Sequence, residues 1–214
     1  MLFRSNKEPD DPQPYFDLAG YYYEGGAFDM TIELLKKYIG LQPGNILAYS
    51  KLRDTYFASR QYNEAATVCR TIIALEPKNP TRYLEAGLLY ARMHDLDTAL
   101  DLYRRGLGID SGSYQLQYNI GLVYDELARI EDAIHYYRRA TELNPRYPQA
   151  YFALGNLYAR LESNENAIIA IENGMKVGKP PAEIANLLVA LYAKTGRIVE
   201  ARQAADRFGI RYAE

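Results

Sequence analysis

Tryptophan is absent from this 214-residue chain, cysteine occurs once, at Cys69, and histidine twice, at His94 and His135. A single thiol excludes an intramolecular disulfide framework and fits a reducing compartment. Neither sign of charge is in excess. The formal net charge is −2, which gives no overall pull toward nucleic acid or anionic lipid. No apolar run reaches the roughly 18 residues that a membrane-spanning helix needs. The start, Met1 to Pro9, holds no apolar stretch long enough for a secretory leader. Gly-rich phosphate loops and nucleophile elbows are missing as well.

What the chain does have is tyrosine, 21 copies of it, and six keep step: Tyr22, Tyr56, Tyr90, Tyr124, Tyr158 and Tyr192, each 34 residues after the last. A fixed period of roughly 20–50 residues denotes stacked copies of one small unit. Placing the tyrosine eleventh gives units 12–45, 46–79, 80–113, 114–147, 148–181 and 182–214, behind a polar lead-in of residues 1–11. Other places then align. The twentieth holds Thr31, Ala65, Ala99, Ala133, Ala167 and Ala201. The fourth holds Tyr15, Tyr49, Tyr83, Gln117, Tyr151 and Ala185. The seventh and eighth include Ala86-Gly87, Ile120-Gly121 and Leu154-Gly155, and the thirty-second holds Pro43, Pro77 and Pro145.

Within a unit, apolar residues recur twice at helical spacing, as in Tyr151, Leu154, Leu157, Tyr158 and again Ala167, Ile168, Ile171, with a short polar turn between them. Proline stops the second helix, as in Leu143-Asn144-Pro145. Small residues at the eighth and twentieth places let two helices approach, and the eleventh-place tyrosine wedges between them. The pattern predicts an all-α array of about twelve antiparallel helices. Tyrosines at the fourth, eleventh and twenty-fourth places are expected in its core.

These residues, from Pro12 onward, resemble the tetratricopeptide-repeat family, whose pattern is an aromatic, Leu-Gly, Tyr, Ala, an aromatic and Pro over 34 residues. The resemblance implies a right-handed solenoid that presents a concave surface to a protein partner. The 34-residue step also separates the chain from the 35-residue helical repeats that read single-stranded RNA. Places that are apolar in earlier second helices become Arg202 and Arg211 in the last unit, as expected for a polar terminal face that ends an array. Phe208, Ile210 and Tyr212 stay apolar there. Leu2 and Phe3 are candidates for docking back onto the array.

By the same resemblance, the second, fifth, ninth, twelfth and thirteenth places line the concave face. They select Phe16, Gly20, Tyr23 and Glu24, then Ser50, Asp54 and Phe57, then Leu84, Leu88 and Arg92. They continue with Tyr118, Leu122, Asp125 and Glu126, and end with Phe152, Asn156, Arg160, Asn186 and Lys194. Eight of these are large and apolar, the look of a groove for an amphipathic helix or extended peptide. The Lys–Asn pair of the family's carboxylate clamps is absent at the fifth and ninth places. Asn119 is the one asparagine at a sixth place, so the asparagine ladder of the protein O-glycosyltransferase arrays is missing.

The remaining candidates read as structural. Lys36-Lys37, Arg70, Arg104-Arg105 and Arg138-Arg139 form a basic stripe on the outer face, interspersed with acids that can pair at helical spacing. His94-Asp95-Leu96-Asp97 lies in a turn where an aspartate caps the next helix. Cys69 takes a core place. The sequence therefore predicts a binding scaffold, with no catalytic residue, metal or cofactor, no nucleic-acid partner and no membrane insertion. The partner is a protein or peptide, with self-association as a further mode. Two alternatives are a self-associating assembly factor of a bacterial envelope or pilus machine and the regulatory part of a larger enzyme. The expected compartment is the cytoplasm, or the periplasm for a chain whose leader has been removed.

Overall fold

The computed structural model describes residues 11–211. They form twelve α-helices and, among those residues, no strand. The chain divides into two compact units that meet between Ile109 and Asp110. The first holds α1 (Gln13–Glu24), α2 (Phe28–Leu41), α3 (Ile46–Ala58), α4 (Tyr62–Leu75), α5 (Pro80–Arg92) and α6 (Leu96–Ile109). The second holds α7 (Tyr114–Glu126), α8 (Ile130–Leu143), α9 (Pro148–Arg160), α10 (Asn164–Met175), α11 (Ala182–Lys194) and α12 (Ile198–Phe208). Inside each unit every helix packs on the next in the chain. The candidate peptide Leu2-Phe3 and the apolar Tyr212 lie outside the described residues.

Local chemistry sets the helix ends. Asn45 caps α3 by accepting from the Ala48 amide at 3.0 Å. Asn79 caps α5 through the Thr81 amide, and Ser113 caps α7 through the Leu116 amide. Each satisfies an amide that the helix leaves unpaired. Pro80 and Pro148 open α5 and α9, where a missing N–H costs nothing. The prolines Pro43, Pro77 and Pro145 follow two residues after α2, α4 and α8 end.

The turn between the two helices of a repeat is the same six times over. The residue at the fifteenth place is left-handed in every repeat: Gly26, Arg60, His94, Ala128, Glu162 and Gly196, with φ between 55° and 77°. The next amide then reaches back to the eleventh-place tyrosine carbonyl, as from Gln61 to Tyr56 and from Arg129 to Tyr124, both at 2.8 Å. With the bond from the left-handed residue's own amide, as from Arg60 to the Phe57 carbonyl at 3.0 Å, this bond closes the helix in the Schellman manner. It makes the periodic tyrosine a backbone anchor as well as a wedge. Four of the six left-handed residues carry a Cβ, and so hold a conformation that costs about 1–2 kcal/mol without glycine.

The core follows from the small places. Ala65, Ala99, Ala133, Ala167 and Ala201 are fully buried, and Thr31 stands in for alanine by donating its hydroxyl to the Ala27 carbonyl. At the eighth place, Gly87 lies beneath Tyr103, so a Cβ there would come within 2.3 Å of the ring. Gly121 lies beneath Tyr137 in the same way, at 2.6 Å. These two tyrosines are fully buried and their hydroxyls have no partner among the described residues. Burial pushes both phenols well above their ordinary range.

Candidate functional site

In the first unit, three successive first helices contribute to one open cavity of about 350 Å³. Tyr23 comes from the end of α1, Asp54 and Phe57 from α3, and Leu88 and Arg92 from α5. The period itself brings them together. Residues at the ninth, twelfth and thirteenth places fall on one side of each first helix, and repeats stacked side by side align those sides. Phe57 is half-buried, with Tyr62 packed at 5.4 Å and the Arg92 guanidinium 5.7 Å above its ring. Leu88 is 38% exposed and Tyr23 40%. An aromatic edge, a leucine and a cation are thus open to solvent together.

Two more residues of the cavity were not singled out from the sequence: Arg53 and Glu85. Arg53 donates from Nε to Asp54 Oδ1 at 2.9 Å and from Nη1 to Glu85 Oε2 at 3.0 Å. Glu85 also receives Arg82 Nη1 at 3.2 Å. Burial alone would lower the pKa of Arg53. The bonds and charge of Asp54, with the bond from Glu85, more than offset this and hold it above the ordinary value. The available signal was an arginine at the eighth place, where three other repeats have glycine.

The other predicted residues of this unit stay outside the cavity. Phe16 is half-buried, with its ring 5.0 Å from Tyr38 and Lys51 Nζ 5.1 Å above it. Leu84 is half-buried too.

In the second unit the predicted residues divide. Asp125 and Arg160, from neighbouring first helices, form an ion pair. Tyr118 is half-buried, 5.5 Å from Tyr137 and edge-on to Tyr147 at 5.2 Å. Burial raises its pKa. Asn119 spends its amide on its own helix, donating to the Gln115 carbonyl at 2.8 Å. Leu122 and Asn156 are exposed. Phe152 requires a correction. Predicted as a surface anchor, it is only 5% exposed and belongs to the core with Ile168, Ile171 and Leu188. The reason is Gly174 on α10: a Cβ there would lie 2.5 Å from the Phe152 ring, so the absent side chain leaves a slot that the ring fills.

The outer-face stripe behaves as local pairing. Lys37 meets Glu33 at 2.7 Å, Arg139 meets Glu142 at 2.6 Å, and Arg70 donates to Thr67 at 2.9 Å. Asp95 accepts from the Thr98 amide and so caps α6. No helix among the described residues is long and apolar enough to cross a membrane.

The family model described as tetratricopeptide repeat matches residues 52–114 and 118–183. Among curated proteins none matches the sequence. Among solved structures, MamA protein is 22% identical over 77% of this chain and 90% of that chain, with a TM-score of 0.63. PilW, described as a widely conserved type IV pilus biogenesis factor, is 16% identical over 92% and 91%, with a TM-score of 0.69. YrrB, described as a TPR protein with an unusual peptide-binding site, is 18% identical over 87% and 93%, with a TM-score of 0.59. At such identities these likenesses speak to the fold.

Proposed function

The chain belongs to the tetratricopeptide-repeat family, and we propose that it is a non-enzymatic interaction scaffold that holds a partner peptide or helix against the face lined by its first helices. The observation that carries this reading is the convergence of Tyr23, Phe57, Leu88 and Arg92, from three helices, on one open cavity. Tyr23 and Leu88 are exposed there, Phe57 shows one half-buried edge, and charged side chains lie beside them. That combination suits an amphipathic segment.

A photo-reactive phenylalanine analogue tests the face. Placed at Phe57 or Leu88, it should cross-link a partner whose site maps to one short segment. Placed at Ile169, which is 54% exposed on α10, it should not. Equal capture from both faces would remove the reading. Phe57→Ala should weaken the captured complex by about 1–4 kcal/mol, the range for an aromatic hot spot.

A second reading, self-association in an assembly, is favoured by one observation. On α1, Tyr21 is 72% exposed and Leu18 44%, with Met30 of α2 also open at 43%. Sedimentation of the parent beside Tyr21→Glu tests it. A dimer that the substitution abolishes supports self-association through α1, and a monomer at all concentrations removes it.

A further inference from the structure

The seventh place of each repeat is an apolar position that the preceding repeat covers. It holds Leu52, Ile120, Leu154 and Leu188, all buried, whereas Leu18 of the first repeat is 44% exposed. Repeat three alone departs, with Ala86. Three carbons of a leucine are missing there, and the surroundings have not closed over the loss. Between α2 and α4, Leu52 lines a cavity of about 330 Å³ with Lys36, Tyr56, Thr67 and Val68. The corresponding cavity, between α4 and α6, has Ala86 in place of Leu52, with Arg70, Tyr90, Asp101 and Leu102 around it. Its volume is about 490 Å³, and it runs on to Ile73, Ala74 and the Tyr83 ring. Their counterparts Ile39, Gly40 and Tyr49 lie outside the cavity of Leu52.

We infer that this cavity is a second docking site, on the second-helix side, for a protein segment that inserts one leucine or isoleucine side chain toward Ala86. The chain itself identifies the occupant. A leucine or isoleucine stands at this place in the other five repeats, so the walls are ones that suit a branched aliphatic side chain. The mouth is edged by the exposed Arg70, Asp101 and Arg105, and their polar groups are engaged locally. Arg105 meets Asp101 at 3.7 Å and lies 5.1 Å over the Tyr83 ring, and Arg70 donates to Thr67 at 2.9 Å. The Tyr83 hydroxyl donates to the Pro77 carbonyl at 2.9 Å. What remains for an occupant is apolar surface, and removing it from water is the gain that an aliphatic side chain brings. An anchor side chain seated in such a pocket is how a few residues carry most of a binding energy. The site shares no residue with the cavity of Phe57 and Leu88, and the inference does not rest on the groove reading.

Two substitutions that other repeats supply test the inference, Ala86→Leu and Ala86→Ile. Both should keep the parent's circular dichroism and melt no lower, because each fills the space with a side chain that repeats two and four already carry. A display library of random 12-residue peptides is then selected on the full chain, and peptides that also bind Ala86→Leu are removed. Those that remain should share one Leu or Ile. Changing it to alanine should weaken binding to the parent about tenfold or more, the size of one buried aliphatic side chain. Phe57→Ala should leave these peptides bound and release any held in the groove. Destabilisation by both substitutions would mean that the space is not that of a leucine, and overturns the inference. So does a selection that leaves no peptide after the removal step, or one whose remaining peptides share no aliphatic residue. Loss of the remaining peptides in Phe57→Ala would place them in the groove, which overturns the second site and leaves the groove reading standing.

Discussion

The first-helix faces of the two units start from the same repeat places and come out differently. In the first unit, Tyr23, Phe57, Leu88 and Arg92 surround an open cavity with Arg53 at its edge. In the second, Phe152 has turned into the core, Tyr118 is packed among tyrosines, and Asp125 and Arg160 satisfy each other. The difference is made on the second helices. A glycine at position 174 admits the Phe152 ring, and repeat two carries Arg53 and the buried Cys69 where repeats three and four carry a glycine and a tyrosine. In such arrays, what a first helix shows to a partner depends on the volume that the helix behind it leaves free.

The sharpest way to break this comparison is to truncate one aromatic from each face. Phe152→Ala should cost about 3–5 kcal/mol of stability, as for a buried large side chain. Phe57→Ala, at a half-buried rim position, should cost about 1 kcal/mol or less, as for a surface substitution. Urea denaturation of both variants checks this, and equal losses would erase the distinction between the units.

A smaller effect is expected from forcing repeat two toward the plan of repeat four. Cys69→Tyr alone should destabilise by about 1–3 kcal/mol through overpacking against Arg53. Adding Arg53→Gly should restore most of the loss, a non-additive result that marks direct contact. If the two changes simply add, the eighth and twenty-fourth places do not share one volume.

The turn repeated in all six repeats gives a gain instead. Ala128→Gly and Glu162→Gly each relieve a left-handed residue with a Cβ. Offset by the greater freedom of glycine in the unfolded chain, the net stabilisation should be about 1 kcal/mol or less. Gly196→Ala, at the same place, should lose a similar amount. Opposite signs in thermal melts would show that the turn is not the shared element of the two units.

The smallest effect near neutral pH concerns Cys69. Burial pushes its thiol up to about 11. Its folded pKa exceeds the unfolded value, so the unfolded chain gives up the proton first. The thiol's contribution is complete below about pH 9 and is lost as the pH rises toward 11. Cys69→Ala should flatten that part of the stability–pH curve and leave the slope of the curve near pH 7 unchanged. The thiol should resist alkylation at pH 8 until the chain unfolds.

Much of this molecule was legible in its sequence because the information is local. The 34-residue step, the prolines after second helices and the alanines at the twentieth place are read one repeat at a time. A helix start such as Asn79-Pro80 needs no knowledge of the rest of the chain. The left-handed fifteenth place was hidden. Arg60, His94, Ala128 and Glu162 do not announce it as glycine would, and only the bonds back to the tyrosine carbonyls hold them there.

The sequence by itself determined the helical repeats, their register and which sides of the first helices gather on one face. Only the tertiary structure decided which residues on that face remain available. Phe57 and Phe152 are both aromatic at first-helix places predicted to line the concave face, yet one is half-buried at an open cavity and the other is in the core. Arg53, at a place that elsewhere closes the core, reaches the surface. The physical reason is that exposure is not a property of a residue's own position. It is set by the size of the side chain opposite, which comes from another helix about 16 to 22 residues away, and close packing allows only one of the two to occupy the space.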